Sequence, residues 1–304
     1  MTSPAVDVVV PTRDRPQLLA RALAAIAAQD YPAQVRVLVV VDRATADRSL
    51  ERADGPRPVT VLDNVRSPGL AGARNTGLLA SRAPLVAFCD DDDQWLPGKL
   101  AAQVAALHRY PDAPMAGCGI QVRYEDRLVV RTLGLRRFSL ADLLADRVAE
   151  LHPSTFLFRR ALLLNTIGLV DEDLPGSYAE DYELLLRAAR VAPLVTAAEV
   201  GVEVLWHRQS YFEARWAMIA EALTWLLERY PEFADRPAGR GRVRGQIAFA
   251  YAAQGRRREA ARWSLRALRD DPVQPRALLA AAVATRVVSA DQVLDRLHRA
   301  GRGI

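Results

Sequence analysis

Cysteine, lysine and long apolar runs are scarce in this sequence of 304 residues. The two cysteines, Cys89 and Cys118, cannot form a disulfide framework, and no Cys/His spacing is typical of a zinc site. No apolar run approaches the roughly 20 residues that a membrane helix needs, and the first residues lack the basic region of a secretory signal. We therefore expect a cytoplasmic protein that is soluble or at most peripheral to a membrane.

The chain carries only a small excess of positive charge. The chain has 41 basic and 36 acidic residues, a net charge of +5, and every basic residue except Lys99 is arginine. Because the arginines are spread among comparable numbers of acids, the composition indicates a mixed solvated surface, and no nucleic-acid partner is expected. The hydrophobic content of 50% is enough for a substantial core.

Strand and helix patterns alternate through the first part of the chain. The strand-like runs are continuously apolar, which is typical of strands covered on both faces. This order predicts an α/β fold with a mostly parallel sheet and right-handed crossovers. Residues 115–131 alternate more and favour antiparallel or edge strands. The predicted strands are 6–10, 35–41, 59–62, 85–89 and 156–158, and the predicted helices are 16–29, 96–108 and one beginning near Ala71.

The pattern past His207 is helical, and we place a domain boundary near Ser210, between residues 1–209 and 210–304. Residues 250–272 match the spacing of one tetratricopeptide-like helix pair, which would give the tail a protein partner or a second copy of the chain. A helical cap packed on the sheet explains the same pattern, and both interpretations stay open. The predicted helices are 211–230, 243–254, 257–269 and 276–288.

Four consecutive aspartates, Asp90 to Asp93, follow the fourth predicted strand. Ligands of such sheets lie outside the carboxyl ends of the strands, so these side chains are expected at a ligand cleft. Adjacent carboxylates repel one another, and hard cations such as Mg²⁺ or Mn²⁺ prefer carboxylate oxygens. The tract therefore indicates a site for a divalent cation and a diphosphate; a solvated loop or a helix cap is the alternative.

Several motifs, in order, resemble family 2 glycosyltransferases of the GT-A fold, and the resemblance covers residues 5–210. It implies an inverting, non-processive enzyme that uses a divalent cation and moves a sugar from a nucleoside-diphosphate sugar to an acceptor nucleophile. A uridine diphosphate donor is favoured, but Val41, Arg13 and Asp14 depart from the usual pattern and leave guanosine or thymidine diphosphate open. The motifs are residues 8–16, 72–77, 88–100, 152–155, 168–172, 179–184 and 206–208.

The resemblance also implies residue roles. Asp181 matches the general base that takes the acceptor proton, and the alternative is that Glu180 and Asp181 only open a helix. Asp42 and Arg74 match contacts to the base and diphosphate, although Asp42 could cap a helix and Arg74 could be a surface residue. The nucleotide-sugar set is Pro11, Thr12, Arg13, Asp42, Arg74 and Asp91; the metal set is Asp90, Asp92 and His207; the acceptor region is Trp95, His152 and Glu180.

The acceptor itself is not predicted beyond a sugar, natural product, peptide or lipid-linked molecule. Two other functions compete with glycosyl transfer. A nucleotidyltransferase of related fold also uses acids and a metal, but it would carry a glycine-rich basic loop where residues 11–14 stand. A non-catalytic scaffold that binds nucleotide-sugar is opposed by the intact acidic residues.

Overall fold

The computed structural model describes residues 3–206 and 215–299. Within these ranges the chain forms ten strands and eleven α-helices. The strands are β1 (Val6–Thr12), β2 (Val35–Val41), β3 (Val59–Asp63), β4 (Leu85–Phe88), β5 (Gln94–Trp95), β6 (Met115–Tyr124), β7 (Arg127–Arg131), β8 (Arg137–Phe138), β9 (Leu157–Arg159) and β10 (Leu194–Trp206). The helices are α1 (Pro16–Ala27), α2 (Leu70–Ala80), α3 (Lys99–Arg109), α4 (Leu140–Ala145), α5 (Arg160–Leu162), α6 (Glu180–Val191), α7 (Trp216–Arg229), α8 (Pro237–Ala253), α9 (Arg257–Asp270), α10 (Pro275–Ala284) and α11 (Ala290–Arg299).

All ten strands join one mixed sheet in the order β3-β2-β1-β4-β9-β6-β10-β5, with β7 on β6 and β8 on β10. The first four strands are mutually parallel, as their continuous apolar runs predict. The alternating region forms the antiparallel pair β6 and β7, but β6 itself is central because it also pairs with β9 and, in parallel, with β10. The predicted α/β fold with a helical C-terminal region is confirmed.

Two glycines allow α2 to lie directly on its neighbours. A Cβ on Gly77 would stand 2.4 Å from a methyl carbon of Val9 in β1, and a Cβ on Gly72 would stand 1.8 Å from the carbonyl oxygen of Ser67. A side chain at Gly77 would push the helix off the sheet, and one at Gly72 would clash with the segment that leads into α2. This close packing brings the residues between the two glycines against the carboxyl end of the central strands.

Two predicted helix starts are wrong by several residues. The helix predicted from residue 96 begins at Lys99, because Pro97 precedes Gly98, whose φ of 79° is a left-handed conformation. The helix predicted from residue 243 begins instead at Pro237, which occupies the first helical turn, where its missing N–H costs nothing. The helix α11 is not among the predicted elements.

The first tail helices pack on the sheet-containing part. Buried residues of α7 and α8, including Leu223 and Ile247, belong to the same apolar cluster as Phe88 and Leu184 of the preceding part. A smaller cluster joins α8 to α9, α10 and α11. The predicted boundary near Ser210 falls between the described ranges and stays a prediction. No helix within residues 3–206 and 215–299 is long and apolar enough to cross a membrane.

Candidate active site

A cavity of about 670 Å³ lies at the carboxyl ends of β1, β2 and β4 and beside the end of β10. Parallel strands end at the same edge, so residues far apart in sequence meet there. Of the residues that the sequence analysis selected, the cavity wall includes Pro11, Thr12, Arg13, Asp42, Asp90, Asp91, Asp92 and His152.

Arg15 pairs with two carboxylates of the acidic tract. Its Nη1 lies 3.3 Å from Asp91 Oδ1 and 2.9 Å from Asp92 Oδ2. The Thr12 hydroxyl donates to Asp91 Oδ2 at 2.7 Å. The sequence analysis included Arg15 in a motif but gave it no role. Arg15 lies in the turn between β1 and α1, directly before α1 begins at Pro16.

Asp93 is buried and held by the segment between α4 and β9. Its Oδ2 accepts a hydrogen bond from the Ser154 hydroxyl at 2.5 Å and lies 3.3 Å from His152 Nδ1. Its Oδ1 accepts from the backbone N–H of Leu205, next to the end of β10. Asp93 therefore ties three chain segments together behind the cavity.

The pKa values of two tract residues, Asp91 and Asp93, are raised. Burial and the neighbouring Asp92 raise the pKa of Asp91 to about 6, despite its bonds to Thr12 and Arg15. Burial, Asp92 and Asp90 raise the pKa of Asp93 well above its ordinary value. Burial lowers the pKa of His152, which keeps its imidazole neutral. The ionised form of these two carboxylates is therefore disfavoured by burial and by the neighbouring carboxylates, and a bound cation would favour it.

Asp90, Asp93 and His152 each offer one ligand atom, and these atoms lie within 4.8 Å of one another. Two carboxylates and a neutral imidazole suit a divalent cation such as Mn²⁺. This group shares only Asp90 with the metal set that the family resemblance implies. Asp92 contacts Arg15 instead, and His207 lies outside the described residues.

Arg74 is 1% exposed and joins two acidic segments. Its Nη2 donates to Asp90 Oδ1 at 2.7 Å, and its Nη1 is ion-paired with Glu180 at the start of α6. The guanidinium also lies 5.5 Å from the centre of the Phe88 ring. In this structure Arg74 is neither a surface residue nor part of the cavity wall, so its predicted contact with the donor stays a prediction.

Arg147 forms an ion pair with Asp181, the predicted general base. Its Nη2 lies 3.0 Å and 2.9 Å from the two carboxylate oxygens. Burial raises the pKa of Asp181, but Arg147 and Arg74 lower it by more, so it lies below its ordinary value. Asp181 does not line the cavity, although His152, which does, affects its pKa. The sequence analysis missed Arg147, because no motif surrounds it.

Asp42 lines the cavity and also contacts the residue that precedes the next α-helix in sequence. Its Oδ1 accepts from the Asn64 amide at 2.7 Å, and its Oδ2 accepts from the backbone N–H of Gly69 at 3.1 Å. Because Gly69 directly precedes α2, Asp42 helps to hold the start of that helix, and its predicted contact with the base stays a prediction.

Trp95, which the sequence analysis placed in the acceptor region, lies in the interior instead. It is 3% exposed; its indole N–H donates to the Ser154 carbonyl at 3.0 Å, and Lys99 Nζ lies 3.8 Å from its ring centre. This interior position removes it from the acceptor region. Trp206, to which the sequence analysis gave no role, lines the cavity at the end of β10 and also packs on the apolar core.

The sequence model described as "Glycosyl transferase family 2" matches residues 7–165. An uncharacterized glycosyltransferase of Mycobacterium tuberculosis is 32% identical over 210 residues, which cover 66% of this chain and 86% of that protein. The chain belongs to glycosyl transferase family 2. A putative colanic acid biosynthesis glycosyl transferase of Escherichia coli is 28% identical over 107 residues, covering 34% of this chain. This chain spans only 38% of the length of that relative.

Solved structures share the fold at low sequence identity. The crystal structure of Staphylococcus aureus TarS 1-349 in complex with UDP-GlcNAc has a TM-score of 0.63 and 17% identity, covering 92% of this chain and 88% of that one. A mannosyltransferase from Pyrobaculum calidifontis in complex with GDP-Man and Mn²⁺ has a TM-score of 0.57 and 19% identity, covering 94% and 81%. These similarities extend beyond the sheet into the helical tail, since each covers most of the chain.

Proposed function

We propose that the protein is an inverting, non-processive glycosyltransferase that moves a sugar from a nucleoside-diphosphate sugar to an acceptor nucleophile and needs Mg²⁺ or Mn²⁺. The observation that carries the proposal is the convergence of four strand ends, the Asp90 to Asp93 tract and His152 on one cavity. The donor of the TarS complex favours a uridine diphosphate sugar, and that of the mannosyltransferase keeps guanosine diphosphate open.

The residues fit a divalent cation because the tract carries uncompensated negative charge and an imidazole stands beside it. Asp90, with Asp93 and His152 or with Asp92, would hold the cation. When bound, the cation neutralises the charge that develops on the departing diphosphate. Pro11, Thr12, Arg13 and Asp42 also line the cavity, and the nucleoside would bind beside them.

The transfer itself needs one base. A bond forms between the acceptor oxygen and the anomeric carbon while the bond to the diphosphate oxygen breaks, and the nucleoside diphosphate leaves with that electron pair. Asp181 takes the acceptor proton, and Arg147 and Arg74 orient the carboxylate and its neighbour Glu180 for this role.

The test uses purified protein with UDP- and GDP-sugars in the presence of Mn²⁺, Mg²⁺ or EDTA. We expect metal-dependent release of free nucleoside diphosphate, slow without acceptor, and inverted configuration in the product by NMR. Release of sugar 1-phosphate, with the nucleoside monophosphate transferred, would instead indicate nucleotidyl transfer. Donor binding without turnover under every condition would indicate a scaffold. Either result contradicts the proposal.

A further inference from the structure

The charge of the chain is divided unequally between its two parts. Residues 1–209 carry 24 basic and 26 acidic residues, whereas residues 210–304 carry 17 basic and 10 acidic residues. The small net charge of the whole chain therefore hides a basic tail beside a slightly acidic sheet-containing part. Basic and acidic residues are therefore not evenly mixed when the two parts of the chain are counted separately.

Helix α9 concentrates this charge on one face. Arg258, Arg262, Arg266 and Arg269 are all exposed and follow one another at intervals of four, four and three residues. Such intervals place them on the same side of the helix, over a length of about 16 Å. The buried residues of α9, Ala260, Ser264 and Ala267, lie on the opposite side. We call the four arginines the α9 strip.

The acids of α9 form their ion pairs outside the strip, although Arg262 also acts electrostatically on Glu259. Glu259 pairs with Arg256, which precedes the helix, at 2.6 Å. Asp270 pairs with Arg240 and Arg244 of α8 at 2.8 Å and 2.6 Å. Among the described residues no ion pair engages the four strip arginines, although Arg266 Cζ also lies 4.8 Å from the centre of the Trp263 ring. Their charge faces solvent.

Large apolar side chains accompany the strip. Leu265 lies between Arg262 and Arg266 in sequence, on the same face, and is 59% exposed; Val273, just past the helix, is 79% exposed. An exposed leucine among arginines is suited to the boundary between headgroups and acyl chains of an anionic bilayer. Nucleic-acid phosphates would use the arginines but gain nothing from the leucine and valine.

We propose that the α9 strip, with Leu265, docks the protein on the surface of an anionic phospholipid bilayer. The strip begins near the candidate site. Arg256, immediately before α9, lines a surface groove together with Pro175, which opens the short turn Pro175–Ser177. Ser177 lines the active-site cavity. The proposal does not depend on the reaction that the cavity catalyses.

The experiment is co-sedimentation of the full chain with vesicles of phosphatidylcholine alone or with about one third phosphatidylglycerol. We expect binding to the anionic vesicles only, and weaker binding as salt is raised. The variant R258Q/R262Q/R266Q/R269Q should bind them several hundred-fold more weakly, since each of the four arginines near the surface contributes about fivefold. Release of nucleoside diphosphate in vesicle-free buffer should be unchanged, which separates this result from a failure of the proposed function.

A matched control removes four exposed arginines of the sheet-containing part, in the variant R52Q/R82Q/R109Q/R127Q. It lowers the net charge equally and should retain most of the vesicle binding. Leu265→Ser should weaken vesicle binding several-fold without changing charge. The proposal is overturned by a wild-type protein that does not sediment with anionic vesicles, by equal losses in strip and control variants, or by tighter binding to an oligonucleotide that L265S leaves intact.

Discussion

Two groups of carboxylates, the tract Asp90 to Asp93 and the pair Glu180 and Asp181, are joined through Arg74, yet the pKa of Asp181 moves in the opposite direction from those of Asp91 and Asp93. Burial and mutual repulsion raise the pKa of Asp91 and of Asp93. Asp181 is also penalised by burial, but its pKa is lowered. The same side-chain type at neighbouring places in the fold therefore meets different electrostatic conditions.

The two groups differ in the number of arginine side chains that face each carboxylate. The tract sets four carboxylates against Arg15 and a shared Arg74, whereas the pair sets two carboxylates against Arg147 and the same Arg74. Coulomb energy in a partly buried site makes this imbalance costly. The tract could consequently accommodate an added divalent cation. Asp181 is already compensated by Arg147 and Arg74 and is ionised at neutral pH, as a general base must be.

The largest effect that tests the comparison is expected for Asp90→Asn. Asp90 belongs both to the group that the structure brings together and to the metal set that the resemblance implies. Removing its charge should lower nucleoside-diphosphate release on the order of 10³-fold and weaken Mn²⁺ binding, with little change in thermal stability. Turnover assays and calorimetric Mn²⁺ titration measure both. Asp54→Asn, in an exposed loop, is the control, and near-normal turnover in Asp90→Asn would contradict the assignment.

The next effect concerns the compensated pair. Asp181→Asn removes the proposed base and should lower sugar transfer to an acceptor on the order of 10²-fold or more. Donor affinity, measured by calorimetry with a non-hydrolysable donor analogue, should stay near the wild-type value because Asp181 does not line the cavity wall. Near-normal transfer by the variant would move the base to another residue.

A smaller effect is expected for Arg147→Met, which we interpret as a positioning variant. Without the guanidinium the pKa of Asp181 should rise, so the acid limb of the pH–rate profile should move to higher pH, with transfer lowered about tenfold near pH 7. Arg147→Lys should recover part of the rate and part of the shift. An unchanged acid limb in Arg147→Met would show that Arg147 does not set the pKa of the catalytic base.

The smallest effect is on stability in the absence of metal. The pKa of Asp91 in the folded protein, about 6, lies above the unfolded value of 3.8, so the folded state holds this proton more tightly. Protonation of Asp91 therefore stabilises the folded state at low pH, and this contribution is lost as the pH rises from about 4 through 6. The contribution to the free energy of unfolding is at most about 3 kcal/mol.

Thermal melting in EDTA from pH 4 to 7 tests this sign. Asp91→Asn should lose less stability than the wild type as pH rises over that range, whereas Asp181→Asn, which removes a carboxylate of lowered pKa, should lose the stability that Asp181 supplies at neutral pH. Parallel melting curves for the wild type and Asp91→Asn would contradict the raised pKa. Added Mn²⁺ should flatten the wild-type dependence.

Much of the site could be predicted because its residues follow strands whose ends are visible in the sequence. Pro11, Asp42 and the acidic tract each stand directly after an apolar run, and the parallel order of those runs implies that they meet. The interior position of Trp95 has a different origin. It depends on pairing with Val202 of β10 and on a hydrogen bond to the Ser154 carbonyl, and both residues lie far from Trp95 in sequence.

Local periodicity and motif order by themselves determined the α/β fold, the helical tail and the edge of the sheet that carries the acids. Only the tertiary structure decided which charges meet: Arg147 with Asp181, 34 residues apart, Ser154 with Asp93, 61 residues apart, and Arg74 between Asp90 and Glu180. It also showed that, among the described residues, the arginines of the α9 strip form no ion pairs, whereas Arg240, Arg244 and Arg256 do. The physical reason is that backbone periodicity reports neighbours a few residues away, whereas the strength and sign of an ionic contact depend on burial and on partners that the fold supplies.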